Sequence, residues 1–257
     1  MNNEKENSMN KNGTNTGHEA CPLDAIVKQT NGDKPFLLSV YDYTGNWARP
    51  YIEAGWKVLL WDAQIEGCIL KRFTTLQFMI EKETGGKIDG LLAAPPCTAS
   101  AGSGALHWPD KDNGWPKLHR NPEMEQTFET FTEYMTALTE IVLHMKDIFE
   151  PGFWALEQPV GRVEKLVPEL RRYKKMIFQP NEFGDPYTKK TVIFGQFNTG
   201  LSRNFVEAKE GSKMWKIPPG PERKKLRSAT PQGFAKAFYQ ANNEKTTYRK
   251  QLDMQFA

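Results

Sequence analysis

The chain has 257 residues, of which 39% are hydrophobic, with a mean hydropathy of −0.64 and a formal net charge of +3. That size suits one large α/β domain, and no stretch approaches the roughly 20 apolar residues of a membrane span, nor is a signal peptide visible. Cys21, Cys68 and Cys97 are too few for a disulfide framework and lack metal-ligand spacing, so a reduced, cytoplasmic setting and no bound metal are expected.

Residues 1–33 are rich in Asn, Lys, Glu, Thr and Gly and nearly empty of large apolar groups, which predicts a disordered polar tail. Regular structure is expected from Pro35 to Tyr41 as a first strand. A helix over 48–54 follows, ended by Gly55, and then a second strand at Lys57–Trp61 that closes on Asp62. The stretch 65–84 predicts one helix stopped at Gly85-Gly86, and 88–94 a buried third strand. After a loop and a polar, Trp-containing segment to about residue 120, apolar residues recur every three or four positions between Pro122 and Phe149. That spacing predicts a long amphipathic helix. Phe153–Leu156 reads as a strand followed by Glu157, 163–173 as a helix, 175–178 and 191–194 as strands, and 231–241 as the last helix. Alternation of this kind predicts a mostly parallel sheet with helices on both faces, over residues 34–242, with 243–257 a second polar tail.

Candidate chemistry gathers at the ends of these strands. Cys97 follows Pro95-Pro96, which cannot continue a sheet ladder, so the backbone leaves the sheet there and presents Cys97 at the strand's C-terminal end. Open α/β sheets hold ligands on that edge. The small residues Thr98 to Gly104 then read as a flexible closing loop, although a buried structural cysteine would also fit Cys97. Gly45, in the turn Tyr43-Thr44-Gly45-Asn46-Trp47, permits close backbone approach to a ligand, but this is not a dinucleotide fingerprint. Asp62 suits a ribose acceptor or an ordinary helix cap, and Glu157 suits hydrogen bonding to a substrate nitrogen or an ion pair with Arg162. Basic runs at 171–175, 189–190 and 223–227 fit either solvated faces or an anionic partner.

Taken in order, Tyr43-Thr44-Gly45, Asp62, Pro95-Pro96-Cys97, Glu157-Gln158-Pro159, the run Phe183 to Thr191 and Thr230-Pro231-Gln232-Gly233-Phe234-Ala235 resemble the DNA cytosine-C5 methyltransferases. The resemblance is closest to short phage- or prophage-type members and spans about residues 36–242. It implies a Rossmann-like, S-adenosylmethionine-dependent methyltransferase fold in a bacterial or phage-infected cell, acting as a monomer. The cofactor would lie against Tyr43, Thr44, Gly45, Asn46, Trp47 and Pro95, with its ribose on Asp62. Cys97 would attack C6 of a cytosine flipped out of double-stranded DNA, Glu157 would act at N3, and Lys189 and Arg162 would supply positive charge. Ser100, Ser103, Arg162, Lys190, Arg223, Lys224, Lys225 and Arg227 would contact the nucleic acid.

The sequence departs from the family pattern in five places, one of them the lack of a clear counterpart, between Cys68 and Leu76, to the acidic residue that contacts the cofactor's adenine. Trp47 stands where a second glycine is usual, Gln158 stands for Asn, and Lys189-Lys190-Thr191 replaces an arginine-x-arginine element. Residues 196–227 form a short basic insertion where relatives carry a large target-recognition domain, which implies short or weak sequence specificity. C5 modification of RNA or of a free pyrimidine nucleotide, or a catalytically silent nucleic-acid-binding homologue, would also fit.

Overall fold

The computed structural model describes residues 34–115, 128–220 and 222–243. The predicted tails over 1–33 and 244–257, and residues 116–127, lie outside the described residues. Among those described, six strands form one sheet: β1 (Phe36–Val40), β2 (Lys57–Trp61), β3 (Gly90–Ala93), β4 (Phe153–Pro159), β5 (Lys174–Phe178) and β6 (Thr191–Gln196), in the order β2-β1-β3-β4-β6-β5. The first four run parallel. β6 runs antiparallel to both β4 and β5, so the sheet is mostly but not wholly parallel. Buried on both sides, β1 and β3 are apolar runs interrupted only by the buried Ser39, as suits parallel strands between two helical layers.

Alternation along the strands sorts the core into two halves. Phe36, Leu38, Val40, Leu91, Trp154 and Leu156 pack against α2 (Ile69–Thr84) and α4 (Phe131–Phe149). On the other face, Leu37, Leu92, Phe153 and Ala155 pack against α1 (Arg49–Glu53) and the terminal helix α7 (Gln232–Ala241). The α/β architecture with helices on both faces therefore follows the sequence expectation. Phe234 of α7 stacks on Phe178 with centroids 4.0 Å apart and planes 9° from parallel. Such a pair adds roughly 0.5–1.5 kcal/mol beyond area burial and fixes the start of α7 against the sheet.

Four element boundaries differ from expectation for identifiable reasons. The long helix begins at Phe131, because Thr130 and Glu133 form a reciprocal capping box that starts it there. The helix expected over 163–173 breaks into α5 (Val163–Leu166) and a 3-10 turn at Pro168–Arg172, since Pro168 has no N–H to continue it. β4 extends past Leu156 to Pro159, because Glu157, Gln158 and Pro159 pair with Ile193, Val192 and Thr191 of β6. The segment after Cys97 is not an open loop: Gly102–His107 is a 3-10 turn leading into α3 (Trp108–Asn113). No helix among the described residues is long and apolar enough to cross a membrane.

Candidate active site

The chain reverses its direction of travel across the sheet between β1 and β3, and open α/β sheets hold ligands outside the C-terminal strand ends at such a switch point. The β1 end is shaped by Asp42. Its buried carboxylate accepts from the Trp47 and Ala48 N–H groups, both at 3.1 Å, and from the hydroxyls of Ser39 and Thr44. Tyr41 enters this turn at φ 62°, a strained value for a tyrosine, held by its N–H on the Trp61 carbonyl and its hydroxyl on the Leu138 carbonyl. Gly45 follows at φ 63°, where the turn requires a residue without a side chain.

Burial pushes the Asp42 carboxyl up to about 6, against the pull of its four donors. The neutral acid thus favours the fold, fully below about pH 4, and this contribution is lost as pH rises through about 6. Asp42→Asn keeps an acceptor for the two N–H groups and does not titrate. The stability of the native chain relative to this variant should fall by about 3 kcal/mol between pH 4 and pH 7 and stay flat above. Denaturant melts across that range check it, and a pH-independent difference would contradict it.

Trp47 requires a correction. Its ring is fully buried against Phe234 and Phe238 and its backbone N–H is taken by Asp42, so its side chain offers no surface to a cofactor. Tyr43, Thr44 and Asn46 remain partly exposed in the turn. At the end of β2, Asp62 Oδ1 accepts from the Gln64 N–H at 2.9 Å, and Oδ2 has no partner among the described residues. The acid thus makes the local turn contact expected of a cap, through Oδ1 alone.

Beyond β3, Pro95 is buried and Cys97 half-buried. What holds this loop is Gln158, 1% exposed: its Nε2 donates to the Pro95 carbonyl at 2.7 Å, and its Oε1 accepts from the Ser100 hydroxyl at 2.6 Å. Ser100 is therefore a second correction. At 5% exposure and committed to Gln158, it is an internal strut of the loop and not a nucleic-acid contact. Arg162 reinforces the same segment, donating through Nε to the Ala99 carbonyl at 2.7 Å and lying 3.7 Å from the Trp108 ring centre. Its guanidinium also donates to the Thr132 hydroxyl and makes no pair with Glu157.

Gly161 lies so close beneath the loop that a Cβ there would be driven into the Ser100 carbonyl oxygen. Gly161→Ala should therefore displace the 97–101 loop and cost about 1–3 kcal/mol, measurable by denaturant unfolding. Unchanged stability and unchanged Cys97 reactivity would show that the loop is not held this way.

Glu157 projects from β4 on the opposite side of the strand from Gln158. Only 5% exposed, it accepts from Lys189 Nζ at 3.3 Å on Oε1 and from the Thr230 hydroxyl at 3.4 Å on Oε2. Burial pushes the Cys97 thiol up; the Lys189 and Arg227 charges oppose this, and the Glu157 charge adds to it. Cys97, Glu157, Lys189 and Arg227 thus share one electrostatic neighbourhood. Lys189 supplies the positive charge expected of it, but desolvation outweighs Lys189 and Arg227 together.

The basic run 223–227 folds as α6 (Glu222–Ser228), a helix that was not anticipated. It lies over the β1 turn, with Lys225 Nζ 6.0 Å from the Tyr43 ring centre. Lys225 and Arg227 are exposed, Arg223 is half-buried, and Lys224 belongs to the same helix. Ser103 and Lys190 are exposed as well. From Arg203 to Arg227 there are eight Lys and Arg against three Glu, an excess of five that exceeds the charge of the whole chain.

No protein-family model matches the chain, and no curated protein sequence is significantly similar to it. Three solved structures among those similar in shape can be given. A protein described as a DNA modification methyltransferase encoded within an E. coli prophage matches at a TM-score of 0.39 and 12% identity, over 74% of this chain and 50% of its own. The Entamoeba histolytica methyltransferase EhMeth matches at 0.36 and 13%, over 74% of this chain and 61% of its own. The S. pombe Dnmt2 methyltransferase matches at 0.35 and 13%, over 69% and 53%. The chain thus spans from half to about three-fifths of the length of these proteins.

Proposed function

We propose that the chain is a DNA cytosine-C5 methyltransferase that works through a covalent Cys97 adduct. The observation that carries this reading is the meeting of the Cys97 loop, the Glu157 carboxyl and the Lys189 ammonium at the strand ends, beside the turn after β1. The donor set fits S-adenosylmethionine: partly exposed Tyr43, Thr44 and Asn46 line the turn, and Asp62 keeps an oxygen for ribose hydroxyls. When bound, S-adenosylmethionine supplies an electrophilic methyl group.

The protein's own residues handle the base. Cys97 Sγ forms a bond to C6 of cytosine while Glu157 hydrogen-bonds or protonates N3, so the ring accepts the electron pair and C5 becomes nucleophilic. Once C5 is methylated, its proton leaves to a base, the electron pair reforms the C5–C6 bond, and the Sγ–C6 bond breaks. A raised thiol pKa suits this order of events. The thiol loses its proton when the substrate arrives, and passage of that proton to the Glu157 carboxylate, which shares it with N3, removes the negative charge that disfavours the thiolate. Cytosine in a duplex must leave the stack, and the exposed cations of α6 suit the flanking phosphates.

The reading is tested by incubating the protein with labelled S-adenosylmethionine and, separately, unmethylated duplex DNA, RNA and free cytidine nucleotides. Label at C5 of cytosine in duplex DNA is the expected result. Label confined to RNA or nucleotide would replace DNA as the substrate. Cofactor binding without transfer to any of the three would leave a silent homologue.

A further inference from the structure

The geometry points to Thr230 as a positioning residue for Glu157, joined to the turn on which the cofactor is proposed to lie. The inference rests on the role given to Glu157 above. Thr230 is buried in the junction between α6 and α7. Its hydroxyl lies 3.4 Å from Glu157 Oε2, and its backbone carbonyl accepts from Asn46 Nδ2 at 3.4 Å. One residue therefore touches the acid on β4 and the β1 turn, two elements far apart in sequence.

The junction is held in place from both sides. Just beyond Thr230, the Gly233 N–H donates to Asp185 Oδ2 at 3.0 Å, and Gly233 packs so tightly on the Phe183 carbonyl that no Cβ would fit. Phe234 then stacks on Phe178 of β5. Thr230 is thus set by the sheet and not by a mobile segment.

Glu157 has two oxygens and two donors. Lys189 holds Oε1 by charge, and Thr230 holds Oε2 with a neutral hydroxyl. A carboxyl held at both oxygens has a fixed plane, whereas one held at a single oxygen rotates about its last bond. At over 3.2 Å both bonds are long, which leaves the oxygens free to strengthen a contact to a substrate nitrogen.

The test compares Thr230→Val and Thr230→Ser with the native chain in steady-state methylation of duplex DNA, alongside cofactor affinity and thermal melts. Valine keeps the shape and removes the hydroxyl, so kcat should fall by about tenfold or more, as for one hydrogen bond to a charged group, with KM for DNA little changed. Serine restores the hydroxyl and should recover kcat to within about threefold. If valine does not fold, Thr230→Ala serves the same comparison. A kcat for the hydroxyl-free variant within about twofold of native, or serine no better than valine, overturns the inference. A native protein that methylates no cytosine at all defeats the reading of the site itself, and this role of Thr230 with it.

Discussion

Cys97→Ser is expected to abolish methyl transfer, by at least about a thousandfold in kcat, while leaving the melting temperature nearly unchanged. Serine differs from cysteine by one atom and fits the half-buried position in the loop held by Gln158 and Ser100. The loss is chemical. An alcohol ionises far less readily than a thiol, and burial that already pushes the thiol up penalises an alkoxide more strongly. Lys189 and Arg227 stand near Cys97 in either case but cannot offset that difference. Steady-state methylation of duplex DNA checks it. Serine with near-native turnover would remove the covalent step from the mechanism.

Glu157→Gln should lower kcat by about 10²–10⁴ and spare the fold. The amide can turn its oxygen toward Lys189 and its NH2 toward the Thr230 hydroxyl, which accepts as well as donates. Both neighbours thus stay satisfied and stability is kept. What is lost is the proton that a carboxyl can give to N3, so a normal cofactor affinity should accompany the slow turnover. Calorimetric titration of S-adenosylmethionine against the variant separates the two effects. If the variant unfolds instead, the Lys189 pair is a structural tie and Glu157 has no part in the chemistry.

Much of the fold was legible because its signals are local. The apolar runs at β1 to β4, the glycine stops after α1 and α2 and the turn chemistry of Pro95-Pro96 all act within a few residues. Cys97 and Glu157 could be placed near the strand ends for that reason. Thr130 and Glu133 were also a local signal, a capping box that marks the true start of α4. Other features depend on residues distant in the chain. Glu157 lies inside β4 because β6 pairs with it, and no pattern within residues 153–159 shows that pairing. Gln158 and Thr230 shape the site through partners 63 and 73 positions away. A polar residue whose role is to satisfy a distant buried group leaves no periodic trace. The corrections at Trp47 and Ser100 have the same origin: each sits in a motif at a ligand-binding edge, but its side chain turns into the interior.

The covalent step is tested most directly with duplex DNA carrying fluorine at cytosine C5, mixed with the protein and S-adenosylmethionine. Fluorine cannot leave as a cation, so elimination is blocked after methyl addition and Cys97 stays bonded to C6. The account predicts a complex that survives denaturation, with the mass of protein plus methylated strand and the linkage on the peptide holding Cys97. Methylation of ordinary cytosine DNA with no trapped complex on the fluorinated strand would contradict it.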